Sequence, residues 1–141
     1  MITIAKDFNW EMSHRLTFHK GLCRNIHGHS YKLRIYLTGE LDANGMIIDF
    51  YDLQKIVDPF LMGELDHAFL CSKDDVDVIE FLKKNNWRYY IMDRTSTCEN
   101  MCYLFIDKLK EDLAKIPNLH SFKVRVYETS DAFAELEYKI R

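Results

Sequence analysis

Apolar and polar residues alternate from the start of the chain. Ile2, Ile4, Phe8, Trp10, Met12 and His14 share one parity, which predicts a strand over 2–14 with that face buried. Residues 15–26 break the pattern and read as a loop. Alternation resumes with His27, His29, Tyr31, Leu33, Ile35 and Leu37 on one face, and Gly28, Ser30, Lys32, Arg34, Tyr36 and Thr38 on the other. The segment LDANG reads as a turn, with Asn44-Gly45 at its φ > 0 position. Asp49 is placed to cap a helix carrying Phe50, Leu53, Ile56 and Val57, which Pro59 limits or kinks. The stretch 72–94 is irregular; it admits a short helix near Val76–Lys83 and an extended piece, WRYYIMD. Ser96-Thr97-Cys98-Glu99 fits a capping box led by Ser96, followed by a helical stripe of Cys102, Phe105, Ile106, Leu109 and Leu113. Pro117-Asn118 ends it. Two strands close the chain, one with Phe122, Val124, Val126 and Glu128 in phase, the other with Ala132, Ala134, Leu136, Tyr138 and Ile140. The order β-β-α-α-β-β predicts an α+β fold with an antiparallel sheet.

Polar residues on the predicted inward faces carry the chemistry. His27 and His29 leave one face of their strand, and His14 ends the preceding one. A lone inward histidine is commonly a hydrogen-bonded core residue, and an HxH pair alone is a weak signal. Three imidazoles from two neighbouring strands can hold Zn²⁺ and keep a fourth position open, the mark of a catalytic rather than a closed structural zinc. Cys23, in the run CRNIHGH, then becomes a candidate acid/base beside the metal, although an isolated cysteine is often an inert small hydrophobe. Asp66-His67 has the chemistry of a carboxylate fixing an imidazole tautomer for proton relay, although such a pair is often only a helix start or a turn. Glu128 falls on an apolar stripe, where an unpaired carboxylate costs several kcal/mol. Either the strand ends there and Glu128 is solvated, or it has a partner. His19 and His120 lie in polar, loop-like contexts. Cys71, Cys98 and Cys102 read as packing residues, with Cys98 at a helix N-terminus that favours a thiolate or an anion.

Composition narrows the function. The chain has 141 residues, 48% hydrophobic and 13% aromatic, and no repeat or Pro/Gly-rich linker, so one domain over 1–141 with a real core is expected. A net charge of −3 argues against a nucleic-acid partner held by bulk charge. No stretch is apolar enough to span a membrane and the N-terminus has no signal-peptide pattern, so a cytoplasmic location is expected. The four cysteines lack zinc-ribbon spacing and read as free thiols.

The segments FNWEMSHRL, CRNIHGHSYKLRIYLTGELD, GMIIDFYDLQKIV, LDHAFL, TSTCEN and VRVYET together resemble the 6-pyruvoyl-tetrahydropterin synthase family, in family order from residue 8 to residue 129. The likeness is greatest to its bacterial branch, the 6-carboxy-tetrahydropterin synthases of queuosine biosynthesis. The resemblance implies a tunnelling fold: a four-stranded antiparallel sheet with two helices on one face, closed into a barrel by a homo-oligomer (trimer, tetramer or hexamer) with active sites between subunits. His14, His27 and His29 match the zinc ligands, Cys23 the catalytic cysteine, and His67 the relay histidine supported by Asp66. Glu128 matches the glutamate that anchors the pterin ring, and Thr97 and Cys98 match positions touching the pterin. Such an enzyme takes 7,8-dihydroneopterin triphosphate to 6-carboxy-5,6,7,8-tetrahydropterin, releasing acetaldehyde and triphosphate. The alternatives are the pyruvoyl reaction, which stops after triphosphate elimination and internal redox, and a non-catalytic zinc- or pterin-binding oligomer. Departures are the short Cys-x3-His spacing, which is the bacterial one, Cys98 where Thr, Ser or Ala is usual, and a long 71–94 segment. Lys20 and Arg24 are placed to meet a triphosphate.

Overall fold

The computed structural model describes residues 1–141. The two long strands predicted at the start form as β1 (Ile2–His14) and β2 (His27–Gly39), an antiparallel pair in register from Ile2 opposite Gly39 to His14 opposite His27. A 3-10 turn, Leu22–Arg24, lies in the loop between them. Next come α1 (Phe50–Phe60), β3 (Ala68–Ser72), α2 (Val76–Lys84), β4 (Tyr89–Met92), α3 (Cys98–Leu113), β5 (Leu119–Thr129) and β6 (Ala132–Lys139). Asp49 caps α1 as expected, its carboxylate accepting from the Tyr51 N–H at 2.7 Å. Pro59 stands in the last turn of α1, and one π turn, Leu61–Leu65, carries the chain to Asp66.

The sheet has six strands in the order β4-β3-β1-β2-β5-β6, not four. β1, β2, β5 and β6 make the expected antiparallel set. β3 and β4 add to it in parallel, with Met12 opposite Ala68 and His14 opposite Leu70. Alternation does not reveal β3 because all five of its residues are buried. The helix number is likewise three, not two. α1 and α3 cover the face bearing Trp10, Leu33, Ile35, Phe122 and Val124, forming the main core with Leu53, Val57, Met101, Phe105 and Leu109. Alternate residues of β3 face opposite ways. Leu70 joins that core, while Phe69 and Cys71 pack with Val78, Ile79 and Leu82 of α2 in a separate cluster.

Over the rest of its second face the sheet is polar. Arg34 donates to Asp7 at 2.6 and 2.9 Å, Arg125 donates to Glu135 at 2.7 Å, and Lys32 lies 4.3 Å from the Tyr127 ring centre. β6 pairs only with β5, and β1 meets β3 only over Met12–His14, so both flanks of the antiparallel set keep unpaired backbone.

One ion pair ties the α2 excursion to the end of β1. Asp75 precedes α2 but does not cap it, because both its oxygens accept from Arg15, at 2.6 and 2.7 Å. Asp75 is 5% exposed and the Arg15 side chain 28%. Asp75→Asn strands a half-buried guanidinium and is expected to cost about 1–3 kcal/mol in a urea titration. A loss within experimental error would show that the excursion is held by its apolar cluster alone.

Candidate metal and catalytic site

Cross-strand register builds the histidine cluster. His14 pairs with His27, and His29 pairs with Met12 one step along the same face. The three ring centres lie 4.7, 5.4 and 5.0 Å apart pairwise. His14 is fully buried, and its Nδ1 lies 2.6 Å from the Ser96 carbonyl oxygen. His27 Nδ1 lies 2.7 Å from the Asn25 carbonyl oxygen. A carbonyl only accepts, so both Nδ1 atoms carry the proton and both Nε2 atoms of the neutral rings present a lone pair. The Nε2 atoms of His14, His27 and His29 are all buried without a hydrogen-bond partner. The ligand atoms of the three rings lie within 4.8 Å of one another. Buried lone pairs converging in this way are costly unless a cation takes them, and backbone acceptors on the far nitrogens orient them as metal ligands are oriented. The donor set therefore fits a metal ion, and three imidazoles suit an ion of zinc type.

Ser96 provides that carbonyl because it is not the helix cap. Thr97 is, its Oγ1 accepting from the Asn100 N–H at 3.2 Å, so the predicted capping box is shifted by one residue. Ser96 is buried instead against β1 and β3, its hydroxyl donating to the Arg15 carbonyl and its N–H to Ser72 Oγ. The loop before α3 thus sets the tautomer of His14.

β5 runs on to Thr129, so Glu128 is not a solvated strand end. Its Oε1 sits 3.3 Å from His14 Nε2 and 3.5 Å from His29 Nε2. The contact with His14, and after it the nearby His29, holds the Glu128 carboxyl below its ordinary range, against burial. Burial pulls His29 below the usual imidazole value and outweighs the attraction of Glu128. Tyr31 continues the stripe, fully buried, its ring 5.3 Å from that of His29 and its hydroxyl without a partner. Burial drives its phenol well above the ordinary value.

The Asp66-His67 pair forms. His67 Nδ1 meets Asp66 Oδ2 at 2.8 Å, and the other carboxylate oxygen accepts from the Glu11 N–H at 3.0 Å. That backbone bond, with the His67 contact behind it, holds Asp66 below the usual carboxylate range. His67 has φ = 60°, an uncommon conformation for a residue with a Cβ, and its side chain is 73% exposed. His67 and His29 line the same cavity of about 370 Å³, together with Glu11, Ser13 and Ser30. Cys23 stands apart from the pair within this chain. It is half-buried in the 3-10 turn, anchored by the Leu16 N–H to its own carbonyl, and its thiol bonds to neither His67 nor the imidazoles. Lys20 and Arg24 are exposed on the same loop.

Thr97 is occupied as a cap and Cys98 as a donor, its Sγ 3.0 Å from the Val126 carbonyl. Burial pushes the Cys98 thiol up to about 11, opposite to the thiolate that its helix N-terminus suggests. The Ser96 and Asn25 carbonyls escape a reading of the sequence. Every residue has a carbonyl, so only the fold selects these two.

The family described as 6-pyruvoyl tetrahydropterin synthase matches residues 3–139. A protein of Haemophilus influenzae named 6-carboxy-5,6,7,8-tetrahydropterin synthase is 32% identical over 144 residues, covering 97% of this chain and 99% of its own. One of that name from Synechocystis is 32% identical over 139 residues, covering 95% and 92%. Among solved structures, the 6-pyruvoyl tetrahydropterin synthase of Plasmodium vivax superposes with a TM-score of 0.77 at 20% identity, covering 99% of this chain and 100% of its own. That of Caenorhabditis elegans gives a TM-score of 0.69 at 26% identity, covering 98% and 94%.

Proposed function

The chain belongs to the 6-pyruvoyl tetrahydropterin synthase family, and we propose that it is a zinc-dependent lyase converting 7,8-dihydroneopterin triphosphate to 6-carboxy-5,6,7,8-tetrahydropterin, acetaldehyde and triphosphate. The observation that carries this reading is the set of three buried, unpartnered Nε2 atoms in a cluster of imidazoles whose ligand atoms lie within 4.8 Å of one another. His14, His27 and His29 hold the metal. Bound there, zinc supplies Lewis-acid polarisation of the side-chain oxygens of the substrate. Cys23 moves protons at the side-chain carbons, and His67, held in one tautomer by Asp66, relays them. Glu128 reads the ring by a bidentate hydrogen bond to its N–H and amino group, beside Thr97 and Cys98. Lys20 and Arg24 meet the triphosphate.

The site works between subunits. Unpaired backbone on β6 and on the N-terminal part of β1 supports barrel closure by strand pairing between copies of the chain. A single chain leaves the Cys23 thiol unconnected to His67, and a neighbouring subunit makes the connection. No helix is long and apolar enough to cross a membrane. Four unpaired thiols suit a reducing cytoplasm, where the product enters queuosine biosynthesis.

Mass spectrometry after incubation with 7,8-dihydroneopterin triphosphate tests the reaction. The expected result is the 6-carboxy product with equimolar acetaldehyde. A 6-pyruvoyl product without acetaldehyde would reassign the chain to the pyruvoyl reaction. Unchanged substrate with zinc bound would make it a binding protein.

A further inference from the structure

We infer that Glu128 is a fourth ligand of the metal while no pterin is bound, and that it must leave the metal before it can hold a ring. The inference rests on the metal reading above and adds to it a second position for one carboxylate.

The geometry of Glu128 is hard to explain otherwise. Its Oε1 lies 3.3 Å from His14 Nε2 and 3.5 Å from His29 Nε2. The His14 Nδ1 proton is committed to the Ser96 carbonyl, so the neutral ring turns a lone pair toward the carboxylate. Two acceptors at that distance repel unless a cation lies between them. No lysine or arginine serves, since every ion-pair contact of Glu128 is to a histidine. The basic residues of β5, Lys123 and Arg125, alternate to the other face and are engaged with Glu135. The Cys98 thiol nearby donates to the Val126 carbonyl and offers Glu128 no charge.

A metal ion meets the need at the observed spacing. With zinc–ligand bonds of about 2.0–2.1 Å in a tetrahedron, neighbouring donor atoms lie about 3.3–3.4 Å apart. Both Glu128 contacts match that edge length. Its carboxylate therefore stands at ligand spacing from two of the three imidazoles, and a swing toward His27 completes the fourth position. The side chain is 31% exposed, so it has room to swing.

One carboxylate cannot close the metal shell and clamp a pterin ring together. Ring binding then draws Glu128 off the metal, and this opens the coordination position that the substrate oxygens require. Pterin recognition and metal opening become a single two-state exchange. In the resting protein the metal is closed to water and adventitious ligands.

The test uses the full-length protein, loaded with zinc or with cobalt. Zinc affinity is measured without pterin by competition with a chromophoric chelator, in wild type and in Glu128→Gln. The expected result is an affinity at least about tenfold weaker in Glu128→Gln, since loss of outer-shell partners alone has effects of that size. Zinc content at micromolar protein stays near one per chain in both. The visible cobalt spectrum should differ between the two proteins. Adding 7,8-dihydroneopterin to cobalt-loaded wild type should change its spectrum, a readout that needs no variant. Equal zinc affinity with superimposable cobalt spectra in wild type and variant would overturn the inference and leave the three-histidine site standing. If wild type binds neither ion, both readings fall together.

Discussion

His27→Ala is expected to strip the metal and abolish turnover while the sheet survives. His27 begins β2 opposite His14, its Nδ1 held on the Asn25 carbonyl and its Nε2 buried without a partner. Removing it leaves two imidazoles and the Glu128 carboxylate, which swings off the metal, a set too weak to retain zinc through purification. The core lies farther along the same strand, in Leu33, Ile35 and Leu37, and does not depend on His27. Metal analysis should fall from about one zinc per chain to near zero. Full occupancy in His27→Ala would refute the ligand set. Circular dichroism separates metal loss from unfolding.

How far this site is legible in the sequence depends on the kind of contact. The strand alternation that buries Trp10 and Leu33 also fixes the parity of His14, His27 and His29, and the β1–β2 register then brings the three imidazoles together. Glu128 is visible as a carboxylate on an apolar stripe, but its approach to two imidazoles is not, because that depends on β5 lying beside β2. Ser96 misleads because a capping box and a pre-helical loop share the pattern Ser-Thr-x-Glu. The fold moves the cap to Thr97 and gives the Ser96 carbonyl to His14. β3 and β4 escape notice because they are short, and β3, buried on both faces, shows no alternation. α2 is readable only as a short helical stretch, and its packing on Phe69 and Cys71 follows only once β3 is in place.

The second large effect concerns Cys23 and how the site is divided. Cys23→Ala should keep zinc and fold and lose at least about 10²-fold in turnover, the lower range for removing a general base. His67→Ala should do the same, because Asp66 holds that imidazole in place for proton transfer. Within one chain the two side chains make no hydrogen bond, and His67 is 73% exposed. A group that must relay protons to Cys23 cannot do so from there unless another subunit brings a cysteine to it. Co-assembling inactive Cys23→Ala chains with inactive His67→Ala chains should therefore restore activity, because some interfaces then pair an intact Cys23 with an intact His67. In a randomly mixed symmetric assembly about one interface in four is restored when each site takes one residue from each of two chains. Absence of recovery, with mixed assembly verified by mass spectrometry, would return the whole site to a single chain. The open strand edges would then need another explanation than a shared active site.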